Sequence, residues 1–496
     1  MNAWNVLLSK TLKGVNSIGM KRAEKRTQPL QDGTFDYVPD AAGDRFTAGF
    51  GKAVLLPDDI DKRNYYIAGY RENNPAKGVI DPQYASAVWL DDSSGRGGVL
   101  FIALDVVGLL NKDVNTLKEK LSDFCRLTGC RSITVMSTHN HAGIDTMGLW
   151  GPLPFSGRNP KFINLVFEGA KKAAMEAYED RRSGKLYCGR IEVPDLQEDI
   201  RTPEVYSKTL TRLRFLPDDG SREIYLLNFA AHCESLQGCN SLVSADYPCY
   251  LREKIKKETG AETLFAVGAV GGMISMKVEN EDLLRKERRL LESTRRIGTR
   301  LGEYAIAISE ETQLLPRINF IKQAFYVQTE NPLLTVAGQI GILNVDRYAF
   351  AGEKPCTMIK TQMTYMEIDS LHILFLPCEL FPELAYGGYL SAEDSATGKG
   401  AAVNPVPLTQ IAQDDDLLIF GLSDDEIGYV LPPNDFLLHP EKPYLDKTVD
   451  RHGRRHYEET NSTGPMTAQT IADTFTKMLQ TVQTAKNNAV KETDKQ

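Results

Sequence analysis

Apolar residues fall in short runs separated by amphipathic stretches along most of the chain. The densest run, GVLFIALDVVG at 98–108, is almost unbroken and predicts a strand covered on both faces. YASAVWLDD (84–92) precedes it across a Ser-Ser-Gly-Arg-Gly-Gly turn. FTAGFGKAVLLP (46–57) predicts an earlier strand whose glycines permit close approach. Helical spacing follows within 111–129, at Val114, Leu117, Leu121 and Phe124, and Gly129 stops it. A β-branched strand comes next, beginning at Ser132. Strand, helix, strand in that order predicts a parallel pair with a right-handed crossover. The strongest helical pattern is 159–182, with Pro160 in its first turn.

Strand patterns recur at 185–193, 208–217, 222–235 and 263–275, with helices at 246–260 and 280–309. Strands dominate from 317, LLIFGLSDDEIGYVLPP (417–433) adds a strand and loop, and 466–485 predicts a closing amphipathic helix. The expected fold is therefore α/β, with mixed β-sheets covered by helices in one large domain at 46–485. An N-terminal helix and arm at 1–45 would precede it, and a disordered tail at 486–496 would follow.

A length of 496 residues with 42% hydrophobic positions gives enough apolar surface for such a layered core. The formal net charge of −8 argues against nucleic acid as a partner, because phosphate binding needs a basic surface. Eight scattered cysteines form no CxxC pair, which predicts free thiols in a reducing compartment rather than a zinc ribbon or a disulfide scaffold. The apolar run at the N-terminus is short and interrupted for a secretory signal, and no run is long enough to cross a membrane. These features predict a cytoplasmic protein without a transmembrane segment. Residues 4–18 would form a short amphipathic helix, which either packs on the body or gives peripheral membrane contact.

Candidate chemistry sits at strand ends. SITVMSTHNHAG (132–143) carries His139 and His141, which share a face if the strand geometry persists that far. REIYLLNFAAHCES ends its apolar run near His232, and LHILFLP runs into Cys378 and Glu379. Imidazole nitrogens and a carboxylate suit zinc, and a catalytic zinc takes three protein ligands and leaves a position for water. Asp105 is read as a strand-end tie and Asp246 as a helix N-cap.

These segments resemble the neutral/alkaline non-lysosomal ceramidase family. ITVMSTHNHAG is similar to its histidine signature S-x-T-H-T-H-S-G, and LLNFAAHCESLQGCNSLVSADYPCYL to its A-x-H strand end. LFLPCELFPEL is similar to P-G-E-F, IGYVLPPNDF to A-G-Y-V-T-T, HYEETNSTGP to Y-E-G-x-S-T-x-x-G-P, and GFGKAVLLP to G-x-G-x-A-D-I-T. They occur in the family's order. The resemblance implies a zinc ion held by His139, His232, Glu379 and Tyr429. It also implies that His141, Arg201 (in DIRTPEVY) and Tyr457 contact the substrate amide and headgroup.

The implied reaction is zinc-dependent hydrolysis of a small-molecule or lipid N-acyl amide, giving in that family a fatty acid and sphingosine. TLFAVGAVGGMIS departs from the family's polar F-A-Q-x-N-x-G-D-V-S-P-N, and the interval between Tyr429 and Tyr457 is longer. No strand series follows the closing helix for the β-sandwich of the longer members. A related metallohydrolase of a soluble N-acyl or ester substrate, and a non-catalytic metal-binding homologue, are the competing readings.

Overall fold

The computed structural model describes residues 23, 25–278, 287–351 and 356–493. The expected helix at 4–18 lies outside the described residues, as does the start of the helix expected over 280–309.

Alternation along Tyr84–Asp91 sets the layering. Ala85, Ala87 and Trp89 pack among helices, whereas Val88 and Leu90 pack against a second sheet. Val99–Leu104 splits the same way, with Leu100, Ile102 and Leu104 on the helix side and Phe101 and Ala103 on the other. Both faces are therefore dry, which is why the 98–108 run is almost continuously apolar. The result is a helix layer, a large sheet, a smaller sheet and a closing helix.

In chain order the large sheet comprises β1 (Phe46–Val54), β2 (Tyr84–Asp91), β3 (Val99–Leu104), β4 (Ser132–Ser137), β5 (Arg182–Glu192), β6 (Thr209–Pro217), β7 (Ile224–Phe229), β8 (Glu262–Val267) and β9 (Glu311–Leu314). Its spatial order is β8-β7-β6-β5-β1-β2-β3-β4, with β9 beside β5. The expected parallel pair is β3 with β4, joined through Asn111–Lys120 and Ser122–Thr128, and Gly129 ends that crossover at φ 70°. Pro160–Glu179 covers the helix side, capped by Asn159.

The smaller sheet contains Lys25–Arg26, Ile318–Gln328, Arg347–Phe350, Cys356–Ile368, Leu371–Phe375 and Leu418–Phe420. Phe375 stacks between Phe101 and Phe420 at ring-centroid distances of 5.9 and 5.1 Å, binding the two sheets together.

The closing helix is longer than expected. It runs Thr467–Thr493, so 486–493 is helix rather than tail. Residues such as Ala489, Lys491 and Glu492 favour helix, and Lys486 Nζ anchors the turn on Glu367 at 2.7 Å. Ala468, Ile471, Phe475, Met478 and Val482 form its buried stripe against the smaller sheet.

Edge strands of the large sheet come together around the site. Leu264 and Ala266 of β8 share an apolar cluster with Met136 of β4. Beyond the strand ends, Asn140 and Cys233 form a parallel bridge, and His141 N–H donates to the Cys233 carbonyl at 2.9 Å. Ser137 N–H donates to the Leu422 carbonyl at 3.1 Å, and Glu379–Leu380 pairs in parallel with Tyr429–Val430. Four chain segments thus meet at one end of the sheet. Asp105 and Asp246 act as ties: Arg252 grips Asp105 with bonds of 2.9 and 2.6 Å, and Asp246 accepts the N–H of Tyr247. The eight cysteines are unbridged.

Candidate metal centre

β4 ends at Ser137, two residues short of His139, so strand alternation does not place the histidines. His139 instead adopts φ 58°, a left-handed conformation that is costly for a residue with a Cβ. Its Nδ1–H donates to the Val107 carbonyl at 2.8 Å, which leaves a lone pair on Nε2. His232 is built alike: its Nδ1–H donates to the Ile274 carbonyl at 2.9 Å and frees Nε2. Both freed nitrogens lie 3.0 Å from Glu379 Oε2. A nitrogen from each of His139, His141 and His232 lies within 4.8 Å of the others.

This donor set fits zinc. Ligands about 2.0–2.1 Å from a tetrahedral centre lie about 3.3 Å apart, close to the spacing here. Backbone carbonyls fix both imidazole tautomers, as outer partners of metal-ligating histidines do. Burial opposes the charge on Glu379, yet His139 and His232 hold its carboxyl well below the usual range. Burial also opposes protonation of His232, but the Glu379 hydrogen bond, the Glu234 and Glu379 charges and the Ile274 carbonyl together outweigh it, raising the imidazole.

His141 stands beside this set. Its Nε2 is 3.1 Å from His139 Nε2, and its Nδ1 faces Glu234 Oε2 at 3.5 Å. Burial, with His139 next to it, pushes His141 down to about 3, so the imidazole is neutral at pH 7. Glu234 receives the Tyr70 hydroxyl at 2.7 Å on Oε2 and the Ser275 hydroxyl on Oε1. Burial opposes its ionisation, and the charge of His232 together with these hydroxyls brings it below its usual value.

Glu234 escaped the sequence reading. The one signal was an acidic residue two positions after His232; the Tyr70 and Ser275 contacts span 164 and 41 positions. Gly69, at φ +100°, lays its backbone on the His141 ring, where a Cβ would come 2.4 Å from Cγ.

The other sequence candidates stand further out. Tyr429 is in register with Glu379, and its hydroxyl donates to Met273 Sδ at 3.2 Å. Met273 belongs to the stretch that departs from the ceramidase pattern. Tyr457 is held protonated by burial, with Glu458, Glu234 and Glu379 adding to the effect.

Arg201 is engaged at both ends of its fork, with Glu383 at 2.8 Å and Asp435 at 3.0 Å, and stacks on Phe381 at 4.3 Å. Burial works against its charge, but these carboxylates raise it further. The structure therefore gathers His139, His141, His232 and Glu379 at one point, with Tyr429 beside them and Arg201 braced behind Phe381.

A cavity of about 410 Å³ leads to this point, and His139, His141, Glu379 and Tyr429 are in its wall. Its size is that of a small-molecule site.

Neither a family model nor a curated protein matches this sequence. Solved structures match its fold. The neutral ceramidase from Pseudomonas aeruginosa superposes with a TM-score of 0.66 at 15% identity, over 88% of this chain and 74% of that one. A ceramidase complexed with C2 gives 0.62 at 15% identity, over 88% and 75%. The chain has the fold of the neutral ceramidases.

Proposed function

We propose that this chain is a zinc-dependent amide hydrolase of the neutral ceramidase type, cleaving an N-acyl amide to a carboxylic acid and an amine. One observation carries the reading. A buried carboxylate oxygen lies 3.0 Å from two histidine nitrogens, each freed by a backbone carbonyl on its other nitrogen, at the wall of a cavity. His139, His232 and Glu379 would hold the metal, with Tyr429 as the fourth donor once its hydroxyl leaves Met273.

When bound, zinc supplies Lewis-acid polarisation of the amide carbonyl and a nucleophile active at neutral pH. The chain supplies the rest. His141, neutral and turned by Glu234, presents the Nε2 lone pair toward the reacting centre. That atom accepts the proton of the attacking water as the C–O bond forms. It returns the proton to the departing nitrogen as the C–N bond breaks. Tyr457, kept protonated, is a hydrogen-bond donor for the carbonyl oxygen. Arg201, locked between Glu383 and Asp435, holds Phe381 and through it the Glu379 segment.

A hydrolysis screen of the zinc-loaded protein over ceramide, short N-acyl amines and the matching esters tests the reaction. Release of free amine from at least one amide supports the proposal. Cleavage of esters alone, or of nothing, contradicts it.

A further inference from the structure

The cavity has two kinds of wall. One is apolar: Leu110, Met147 and Leu343 form a contiguous cluster with Leu149, Trp150 and Leu334. The other is polar and is built on Asp424, Asp425 and Glu426, braced by its own hydrogen bonds. Asn111 N–H donates to Asp425 Oδ1 at 2.7 Å, and Gln362 Nε2 donates to Asp424 Oδ2 at 2.7 Å. Asp425, Glu426 and Gln362 line the cavity, and so does Thr329.

Among the residues lining the cavity, His141, Thr361, Glu426 and Thr329 each bear a buried side-chain atom without a hydrogen bond. Glu426 Oε1 accepts the N–H of Gly428 at 2.8 Å, but Oε2 is buried without a hydrogen bond. Thr329 Oγ1 is in the same position. Glu426 is 3% exposed and Thr329 8%. Folded proteins pair nearly all such groups, because an unpartnered buried polar atom loses its hydration for nothing. Buried away from water, Glu426 Oε2 needs a hydrogen-bond partner from whatever fills the cavity. A plain alkyl chain offers none.

We propose that the substrate group filling this cavity carries its own oxygen, as in a hydroxy- or oxo-acyl amide, and that Glu426 Oε2 and Thr329 Oγ1 select it. The proposal rests on the amide-hydrolase reading for the placement of the carbonyl at the histidines. Trapped water is the competing occupant.

Calorimetric titration of the zinc-loaded protein with hexanoic acid, and with hydroxyhexanoic acids whose hydroxyl moves along the chain, distinguishes the two. At least one hydroxy acid should bind about tenfold tighter than the plain acid, the effect of one net hydrogen bond. Glu426→Leu should abolish that preference while the plain acid binds as before. Glu426→Gln should retain part of it, and Thr329→Val should reduce it. Equal binding of plain and hydroxy acids, no binding of either, or a preference that survives Glu426→Leu would overturn the proposal. The readout needs no turnover. A protein that shows the preference but cleaves no amide would refute the hydrolase reading and leave the selecting subsite standing.

Discussion

His141 and Glu234 show how single residues divide the labour of the site. His141 is kept neutral by burial, and the Glu234 carboxylate faces its Nδ1 at 3.5 Å. Glu234→Gln keeps the shape and removes the charge. It should lower kcat by about 10–100-fold, as losses of such outer partners do, with the bound metal unchanged. An unaltered kcat would mean that Glu234 only fills space.

Asp425 gives a test in stability. Burial raises its carboxyl to about 7, against about 3.9 for an unfolded aspartate. Between those values the folded chain binds more protons than the unfolded one, so this residue makes stability fall as pH rises. Asp425→Asn should therefore gain stability relative to the parent as pH rises from about 4 to about 7, read from denaturant midpoints. A difference that is constant with pH would contradict this. None of these roles could be read from the chain, because Glu234 and Asp425 owe them to burial and to partners far away in sequence.

At the scale of elements, the strands and helices were legible where one period dominated. The crossover through 111–129 and the helix at Pro160–Glu179 are as their spacing implies. The histidine loop was legible in content but not in route. Alternation would put His139 and His141 on one strand face, whereas a left-handed turn at His139 after Ser137 brings the rings together. Backbone reversal of that kind has no periodic signal. The loop at Gly69 completes the same arrangement from outside. Gly69→Ala would push a methyl onto the His141 ring from a backbone that disfavours it. A displacement of about 1 Å costs on the order of 10²-fold in rate, so kcat should fall by about that factor with folding and metal content retained. Full activity in this variant would show that His141 has room to move.

For the whole molecule, two stacked sheets act as the rigid base from which separate loops reach one point. The layering was legible because β3 is apolar on both faces. The meeting of β4 and β8 edges was not, since it depends on how the large sheet coils rather than on any one strand. That coiling is what sets His139 beside His232 and lets the Glu379 segment close the set.

The measurement that bears most directly on this arrangement is the metal content, by mass spectrometry, of protein purified without chelators. The account predicts about one zinc per chain, lost when His139 and His232 are both replaced by alanine in a variant that keeps its circular dichroism. A parent protein with no stoichiometric metal, or a double variant that keeps it, would contradict the account.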